Sequence, residues 1–406
     1  MLRRGRSSHR GPMTSEYDVI VVGARCAGSP TAMLLARAGH RVLLIDRATF
    51  PSDTVSTHFV HPPGVAALDR WGLRERLEAT GCEPFTQYTV DFGEFALTGT
   101  PGTAYGPRRT VLDHLLVEAA AGAGAEVREG FTLDSLVWDG DRVAGIVGHD
   151  RRGGRVTERA KVVVGADGKH SRVAAAVGAP AYNERAPEAA AYYAYWSGLP
   201  SAGSELYIRP ERALGLIPTH HDMTLALVGF PAAEAAAFRA DVEGNVARSL
   251  DLAPELAERV AAGRRETRFY ASGDLVGFFR KPFGPGWALV GDAGYTIDPS
   301  TAQGISDAFR DAERVASAIE DALAGRRLFA EAMADAQAAR DAEVLPMYEL
   351  TFNLATLQPP PPELAAVLAA SAGDQPAMDD FVRMFAGVMP VPEFFDPDRV
   401  GRLLAA

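Results

Sequence analysis

The chain has 406 residues, is 47% hydrophobic and 23% charged, and carries a formal net charge of −11. That length supports one large or two to three smaller globular units without disulfide staples. The acidic balance argues against a nucleic-acid surface, and the two cysteines, Cys26 and Cys82, make no disulfide framework, which fits a reducing cytoplasm.

Residues 1–14 are polar and basic and are expected to form a disordered arm, with Met13 an alternative start. Arg3-Arg4 is followed by no apolar stretch, so an export signal is rejected. Apolar runs elsewhere are too short or too interrupted to span a bilayer.

Tyr17 to Val22 (YDVIVV) is a β-branched apolar run that reads as a strand buried on both faces. Gly23-Ala24-Arg25-Cys26-Ala27-Gly28 follows, then a helical run from Ser29 to Ala38, then a second strand from Arg41 to Ile45 that ends on Asp46. This spacing is that of a dinucleotide-binding βαβ unit. Gly23 permits the tight turn, Gly28 lets helix and strand approach, and the helix N-terminus offers free N–H groups to a pyrophosphate. Asp46 would accept hydrogen bonds from a ribose. Arg25 stands where a second glycine is usual; its side chain either turns outward or brings a guanidinium toward phosphate.

Past the second strand lie His58 and His61. They read either as structural histidines or as groups near a cofactor or substrate; no Cys or carboxylate set accompanies them, so a metal site is not expected. Arg109 precedes Asp113 by four residues in an R-x-x-L-D pattern. Gly130 to Val147 reads as two strands around an Asp-Gly turn. Lys161 to Val164 is another apolar strand running into Gly165-Ala166-Asp167-Gly168, which is either a simple turn or a ligand-facing strand end.

From about Tyr182 to Phe269 short strands alternate with Pro and Gly. Tyr192, Tyr193, Tyr195 and Trp196 cluster there, as ordinary sheet packing or as the wall of an aromatic pocket. His220-His221 are expected in a solvated loop. Trp287 to Val290 is a third apolar strand, leading into Gly291-Asp292-Ala293-Gly294 and then Asp298-Pro299-Ser300-Thr301-Ala302-Gln303-Gly304. Ile305 to Ala324 has the three-and-four spacing of an amphipathic helix. The remainder, after about Asp341, reads as mostly helical around Pro359 to Pro362.

Three fingerprints in this order, across roughly residues 17 to 324, resemble the p-hydroxybenzoate-hydroxylase type of flavoprotein, which includes single-component aromatic hydroxylases, flavin halogenases and geranylgeranyl-reductase-like enzymes. The resemblance implies an α/β fold: a Rossmann-type FAD-binding domain (15–88, 107–181 and 270–340), an inserted antiparallel-sheet substrate domain (89–106 and 182–269) and a helical C-terminal segment (341–406). It implies FAD contacts from Gly23, Arg25, Cys26, Ala27, Gly28, Asp46, Arg47, Arg109, Asp167, Gly168, Gly291 and Asp292. Pro299, Ala302, Gln303, Gly304 and Ile305 would line the flavin ring, with Ala302 in place of the usual glycine. His58 and Pro299 are the candidate catalytic positions, and Tyr193, Tyr195 and Trp196 the candidate substrate wall.

The leading functional expectation is an NAD(P)H-reduced monooxygenase that uses dioxygen on an apolar or aromatic small molecule. A reductase or desaturase is the alternative; the Y-x-W-x-F-P run of those relatives is matched only by Ala213 to Pro218, without its aromatics. A halogenase would carry W-x-W-x-I-P, which is missing. A flavoprotein without turnover is the reading from a different class. Substrate identity, and whether the chain acts as a monomer or a homodimer, stay open.

Overall fold

The computed structural model describes residues 16–405; the expectation for the arm at residues 1–14 lies outside them. β1 (Glu16–Val22), α1 (Gly28–Arg37) and β2 (Val42–Asp46) form the first βαβ unit. After a long loop and two short helices, strands Gln87–Asp91 and Ala96–Gly99 precede α2 (Arg109–Gly122). Strand Glu126–Glu129 and the hairpin Thr132–Asp139/Arg142–His149 lead into β3 (Arg155–Gly165).

Four longer strands follow: β4 (Ala189–Ser197), β5 (Gly203–Arg209), β6 (Arg212–Thr219) and β7 (Met223–Pro231). The chain then returns through three short helices to β8 (Trp287–Leu289), α3 (Gly304–Leu323), α4 (Phe329–Ala355), α5 (Pro362–Ser371) and α6 (Gln375–Phe385).

β8, β3, β1, β2 and Glu126–Glu129 are neighbours in a parallel sheet. Its strands are apolar on both faces because helices cover one side and the hairpin strands and a short helix pack on the other. Val19, Val21, Val42 and Leu44 join α1, α2 and α3 in one core, while Ile20, Leu43, Val163 and Leu289 face the opposite layer. The C-terminal ends of β1, β2, β3 and β8 therefore converge on one edge, where ligands bind in open α/β sheets.

The second sheet is mixed. β4 pairs with β7, β7 with β6 and β6 with β5, all antiparallel, while Gln87–Asp91 joins β5 in parallel. Its alternation separates two faces. Tyr193, Tyr195, Leu225 and Ile217 turn toward the interior; Tyr192, Trp196, Leu214 and Phe230 turn toward the helices at residues 235–262.

α3 and α4 close the structure. α4 runs unbroken across residue 341, with Pro346 inside it, so the C-terminal segment begins as the continuation of a helix packed on the first core. α5 and α6 then cover the interior face of the second sheet through Leu368, Phe381 and Met384.

Candidate functional site

The turn after β1 is built as its glycines require. Gly23 has φ +104°, a region L side chains rarely adopt, and a Cβ there would stand 2.4 Å from the Ala166 carbonyl oxygen. A Cβ on Gly28 would stand 1.8 Å from the Gly23 carbonyl oxygen. The backbone thus packs β1, α1 and the strand end at Ala166 together. No side chain caps α1 and its first turn carries no acidic residue; the Ser29 N–H is bonded to the Arg25 carbonyl at 3.0 Å and Pro30 has none, which leaves the Gly28 N–H and the positive end of the helix dipole for an anion.

Arg25 takes a definite course. One guanidinium nitrogen pairs with Asp113 and the other donates to Ser52 Oγ at 3.0 Å. Asp113 is fully buried and also accepts from Arg109 Nε at 3.0 Å and Cys26 Sγ at 3.3 Å. Two arginines therefore share one carboxylate beside the glycine turn. Burial raises the Cys26 thiol pKa, so it stays protonated and is a poor nucleophile.

The Asp46 carboxylate accepts from the N–H groups of Ala24 and Ala48, each at 2.7 Å, which ties the end of β2 to the turn. Arg47 follows it at the cavity mouth. Asp167 accepts from Ser171 Oγ and from the Arg172 N–H at 2.7 Å; burial raises its pKa, and these bonds pull it down. Gly168, with φ +79°, turns the chain away.

After β8, Gly291 donates its N–H to Asp311 at 2.8 Å, and Asp292 opens onto the cavity. Enclosure by the protein raises the Asp292 pKa, and the charge on Arg109 opposes that rise. The turn Pro299–Thr301 ends on Ala302, which lies in the left-handed region at φ +54°. That conformation is the physical reason a glycine is usual there, and this chain keeps it with an alanine. α3 begins at Gly304 with no side-chain cap, so a second free helix N-terminus meets the same cavity.

Gly23, Arg25, Cys26, Ala27, Asp46, Arg47, Arg109, Asp167, Gly168, Asp292, Pro299, Ala302, Gly304 and Ile305 line one continuous cavity of about 1220 Å³. Gly28 and Gly291 support it from behind. Gln303 is buried beneath the wall and donates to the carbonyls of Thr301 and Phe385 at 3.2 and 2.9 Å. The far end is apolar, lined by Leu206, Leu225, Leu227, Leu354, Phe381 and Met384.

Tyr193 lines the cavity. Tyr195 lies one step behind it, hydrogen-bonded to His58 Nε2 and overlaid by the Arg108 guanidinium at 3.8 Å from the ring centroid. Trp196 is turned to the opposite face of β4, packed against the outer helices, because neighbouring residues on a strand point opposite ways.

His58 is wholly buried behind the wall, in the left-handed region at φ +62°, and burial holds its imidazole neutral. His61 has both ring nitrogens engaged. Nε2 meets the Thr301 carbonyl at 3.0 Å and so carries the proton, while Nδ1 accepts from Tyr88 Oη at 2.9 Å. Burial pushes its pKa down to about 3. His61 thus braces the Pro299–Thr301 turn. His220 corrects the expectation of a solvated loop: it is 1% exposed. Its Nδ1 accepts from the Arg108 N–H at 3.1 Å and Nε2 meets Thr80 Oγ1 at 2.9 Å.

Asp298 and Gly229 also line the cavity and were not singled out from the sequence. Among the described residues no helix is long and apolar enough to cross a membrane.

A parallel α/β sheet with a glycine turn, a helix N-terminus and a carboxylate at successive strand ends defines a dinucleotide-binding protein, here carrying an inserted sheet. A family profile described as "FAD binding domain" matches residues 16–338. The chain belongs to that family and is an FAD-dependent oxidoreductase of the p-hydroxybenzoate-hydroxylase type. It is 29% identical to 6-methylpretetramide 4-monooxygenase of Streptomyces rimosus over 344 residues, 80% of this chain and 79% of that enzyme. It is 33% identical to digeranylgeranylglycerophospholipid reductase 2 of Methanopyrus kandleri over 169 residues, 40% of each chain. The structure of the flavin-dependent brominase Bmp2 superposes with a TM-score of 0.81 at 19% identity, over 96% of this chain and 97% of the other.

The residues present fit FAD. Two uncapped helix N-termini face one cavity, the glycine turn leaves no room for a side chain, and Asp292 opens onto it.

Proposed function

We propose that this chain is an FAD-dependent monooxygenase that uses NAD(P)H and dioxygen to oxygenate a flat, apolar small molecule. The continuity of the cavity carries this reading. Its volume of about 1220 Å³ exceeds the ~300–1,000 Å³ of a single small-ligand pocket. A polar cradle at one end opens directly into an apolar chamber at the other, so a cofactor and a second molecule fit side by side.

In this reading the Gly23–Gly28 turn and the N-terminus of α1 take the pyrophosphate, Asp46 the adenosine ribose and Asp292 the ribityl chain. The loop from Pro299 to Ile305 takes the ring, with the α3 N-terminus favouring negative charge on it. When bound, FAD supplies two-electron uptake from NAD(P)H and reaction with dioxygen.

The chain's own part is to bind, orient and exclude water. Arg25 and Arg109, held by Asp113, keep positive charge beside the pyrophosphate. His61 fixes the Thr301 carbonyl and with it the cofactor loop. Tyr193 and the leucines of β5 and β7 hold the substrate, and α5 and α6 keep solvent out. The balance is substrate C–H, O₂, NAD(P)H and H⁺ going to C–OH, H₂O and NAD(P)⁺.

The breadth of similarity supports oxygenation over carbon–carbon reduction: likeness to the Streptomyces monooxygenase covers 80% of this chain, against 40% for the archaeal reductase. A tryptophan 2-halogenase is matched over 77% of this chain, and against that reading stands the missing W-x-W-x-I-P run. The test is simultaneous measurement of NAD(P)H and oxygen consumption by the FAD-loaded protein, with and without fused-ring phenols. Consumption in equal amounts, stimulated by such a compound, is expected. Stimulated NAD(P)H oxidation without oxygen uptake would overturn the reading.

A further inference from the structure

The second sheet carries one row of partners straight across five strands. Tyr193 of β4 pairs with Leu227 of β7, Leu227 with Gly215 of β6, Gly215 with Leu206 of β5, and Leu206 with Val90 of the strand Gln87–Asp91. Residues in register on neighbouring strands point to the same face, and the four side chains of this row all line the cavity. Gly215 has none, and Leu227 leans over it: a Cβ there would stand 3.0 Å from Leu227 Cγ. The adjacent row on the same face, through Ala191, Ala213 and Ile208, lines the cavity too.

These rows fix the shape of the chamber. Five strands leave gaps of ~4.8 Å each, so the floor is roughly 19 Å long, while two rows on one face lie only ~7 Å apart along the strands. The next row in one direction, Tyr195, Leu225 and Ile217, is buried in the core with Phe59 and Phe85 and bounds the floor on that side. On the other side the turn between β5 and β6 is tied to the loop after α4, where the Leu357 carbonyl accepts from the Glu211 N–H at 3.2 Å and Leu357 lines the cavity. The chamber is a slot running across the strands.

Its two ends differ in chemistry. At the β4 end the Tyr193 hydroxyl is hydrogen-bonded to the Ser56 backbone, in the polar loop 53–57 that lines the cavity. Beyond it, every cavity-lining residue of β7, β6, β5 and the strand Gln87–Asp91 is apolar, and so is every side chain that α5 and α6 present to the cavity. On the α4 side Asn353 and Gln358 are exposed at the rim, and Thr356 spends its hydroxyl on the Asn353 carbonyl. Phe92, Phe381 and Phe395 ring the far end, with the Phe92 and Phe381 ring centroids 6.4 Å apart. Such a slot would leave a polar group without a partner, and it rewards hydrocarbon in proportion to the area buried.

We propose that the substrate carries an extended hydrocarbon chain, which lies across the sheet from Tyr193 toward Val90 and ends among Phe92, Phe381 and Phe395. The flat head, where oxygen would be delivered, stays at the β4 end. The proposal rests on the reading of the chamber as the substrate site and adds the class: a ring bearing a chain, not a compact ring alone. Ala213, on the third strand from the head, and Ile208, on the fourth, then limit how much chain is accepted.

The test is equilibrium dialysis of 4-n-alkylphenols, from ethyl to octyl, against the FAD-loaded protein. Each methylene buried should tighten binding about three-fold, so wild type should gain roughly thirty-fold or more from ethyl to hexyl and gain further to octyl. Ala213→Phe and Ile208→Trp each fill the slot, one strand apart. Both should leave 4-ethylphenol within about two-fold, and Ala213→Phe should end the gain at a shorter chain than Ile208→Trp does. Adsorption to an apolar surface elsewhere would give a gain that neither variant shortens. That result, or a wild-type affinity that is level from ethyl onward, would overturn the proposal. Binding is measured without NAD(P)H. The expected chain-length profile with no oxygen transfer would therefore refute the monooxygenase reading alone, and oxygen transfer by a protein indifferent to chain length would refute this proposal alone.

Discussion

Asp113→Asn is the most informative single change at the cofactor turn. The substitution preserves shape but removes the charge shared by Arg25, Arg109 and the Cys26 thiol. It also turns one acceptor into a donor facing arginine N–H groups. Losing one partner of a buried ion pair costs about 3–5 kcal/mol. Arg25 keeps Ser52 and its place beside the Phe50 ring, so the lower figure applies. At ~2 °C per kcal/mol for a long chain, the cofactor-free protein should melt roughly 6 °C lower. With FAD the loss should shrink, because the pyrophosphate returns negative charge to the two guanidiniums. Thermal melts of wild type and variant, each with and without FAD, measure both effects. An unchanged cofactor-free melting point would refute the role of the network, and equal losses in both states would refute its proximity to the pyrophosphate.

Three further outcomes are expected. Asp292→Ala should weaken FAD at least ten-fold in a fluorescence titration while leaving the cofactor-free melting point within about 2 °C, an effect below ~1 kcal/mol. Ala302→Gly should relieve a left-handed conformation that costs ~1 kcal/mol or more, partly offset by the greater freedom of glycine in the unfolded chain, for a net gain of about 0.5 kcal/mol in urea unfolding. The third concerns acid stability. His61 and His220 are depressed to about 3 and about 4, below the ordinary histidine value of 6.5. Between those values the unfolded chain binds the extra protons, so stability that is full above pH 6.5 is lost as pH falls. Each histidine contributes about 1.4 kcal/mol per pH unit. Buried Asp298, raised to about 6, acts in the opposite sense below that pH, so the contrast is drawn against a variant. His220→Asn should lose about 2 kcal/mol less than wild type between pH 6.5 and 5, measured by urea unfolding at each pH.

The cofactor half of the fold was readable because its signals are local. An apolar run, a glycine turn and a helical period occur within thirty residues of one another, and each motif carries its own geometry. Partners distant in sequence were not readable. Nothing near Arg25 announces Asp113, 88 residues away, and nothing near His220 announces Thr80 and Arg108. The two-residue alternation in β4 separates Tyr193 and Tyr195 from Tyr192 and Trp196, but which pair faces the cavity depends on where the outer helices pack. The C-terminal helices were legible as helices, not as the cover of the chamber. Two residues had a signal that went unused: Gly229 interrupts an otherwise apolar strand, and Asp298 immediately precedes the Pro299 motif.

Oxygen transfer to a flat substrate is read out by mass spectrometry under ¹⁸O₂. The FAD-loaded protein would be given NAD(P)H, ¹⁸O₂ and a fused-ring phenol. A hydroxylated product carrying one labelled oxygen atom for each substrate molecule converted is expected. A product saturated at a carbon–carbon bond, or a halogenated product when halide is supplied, with no label in either, would contradict it.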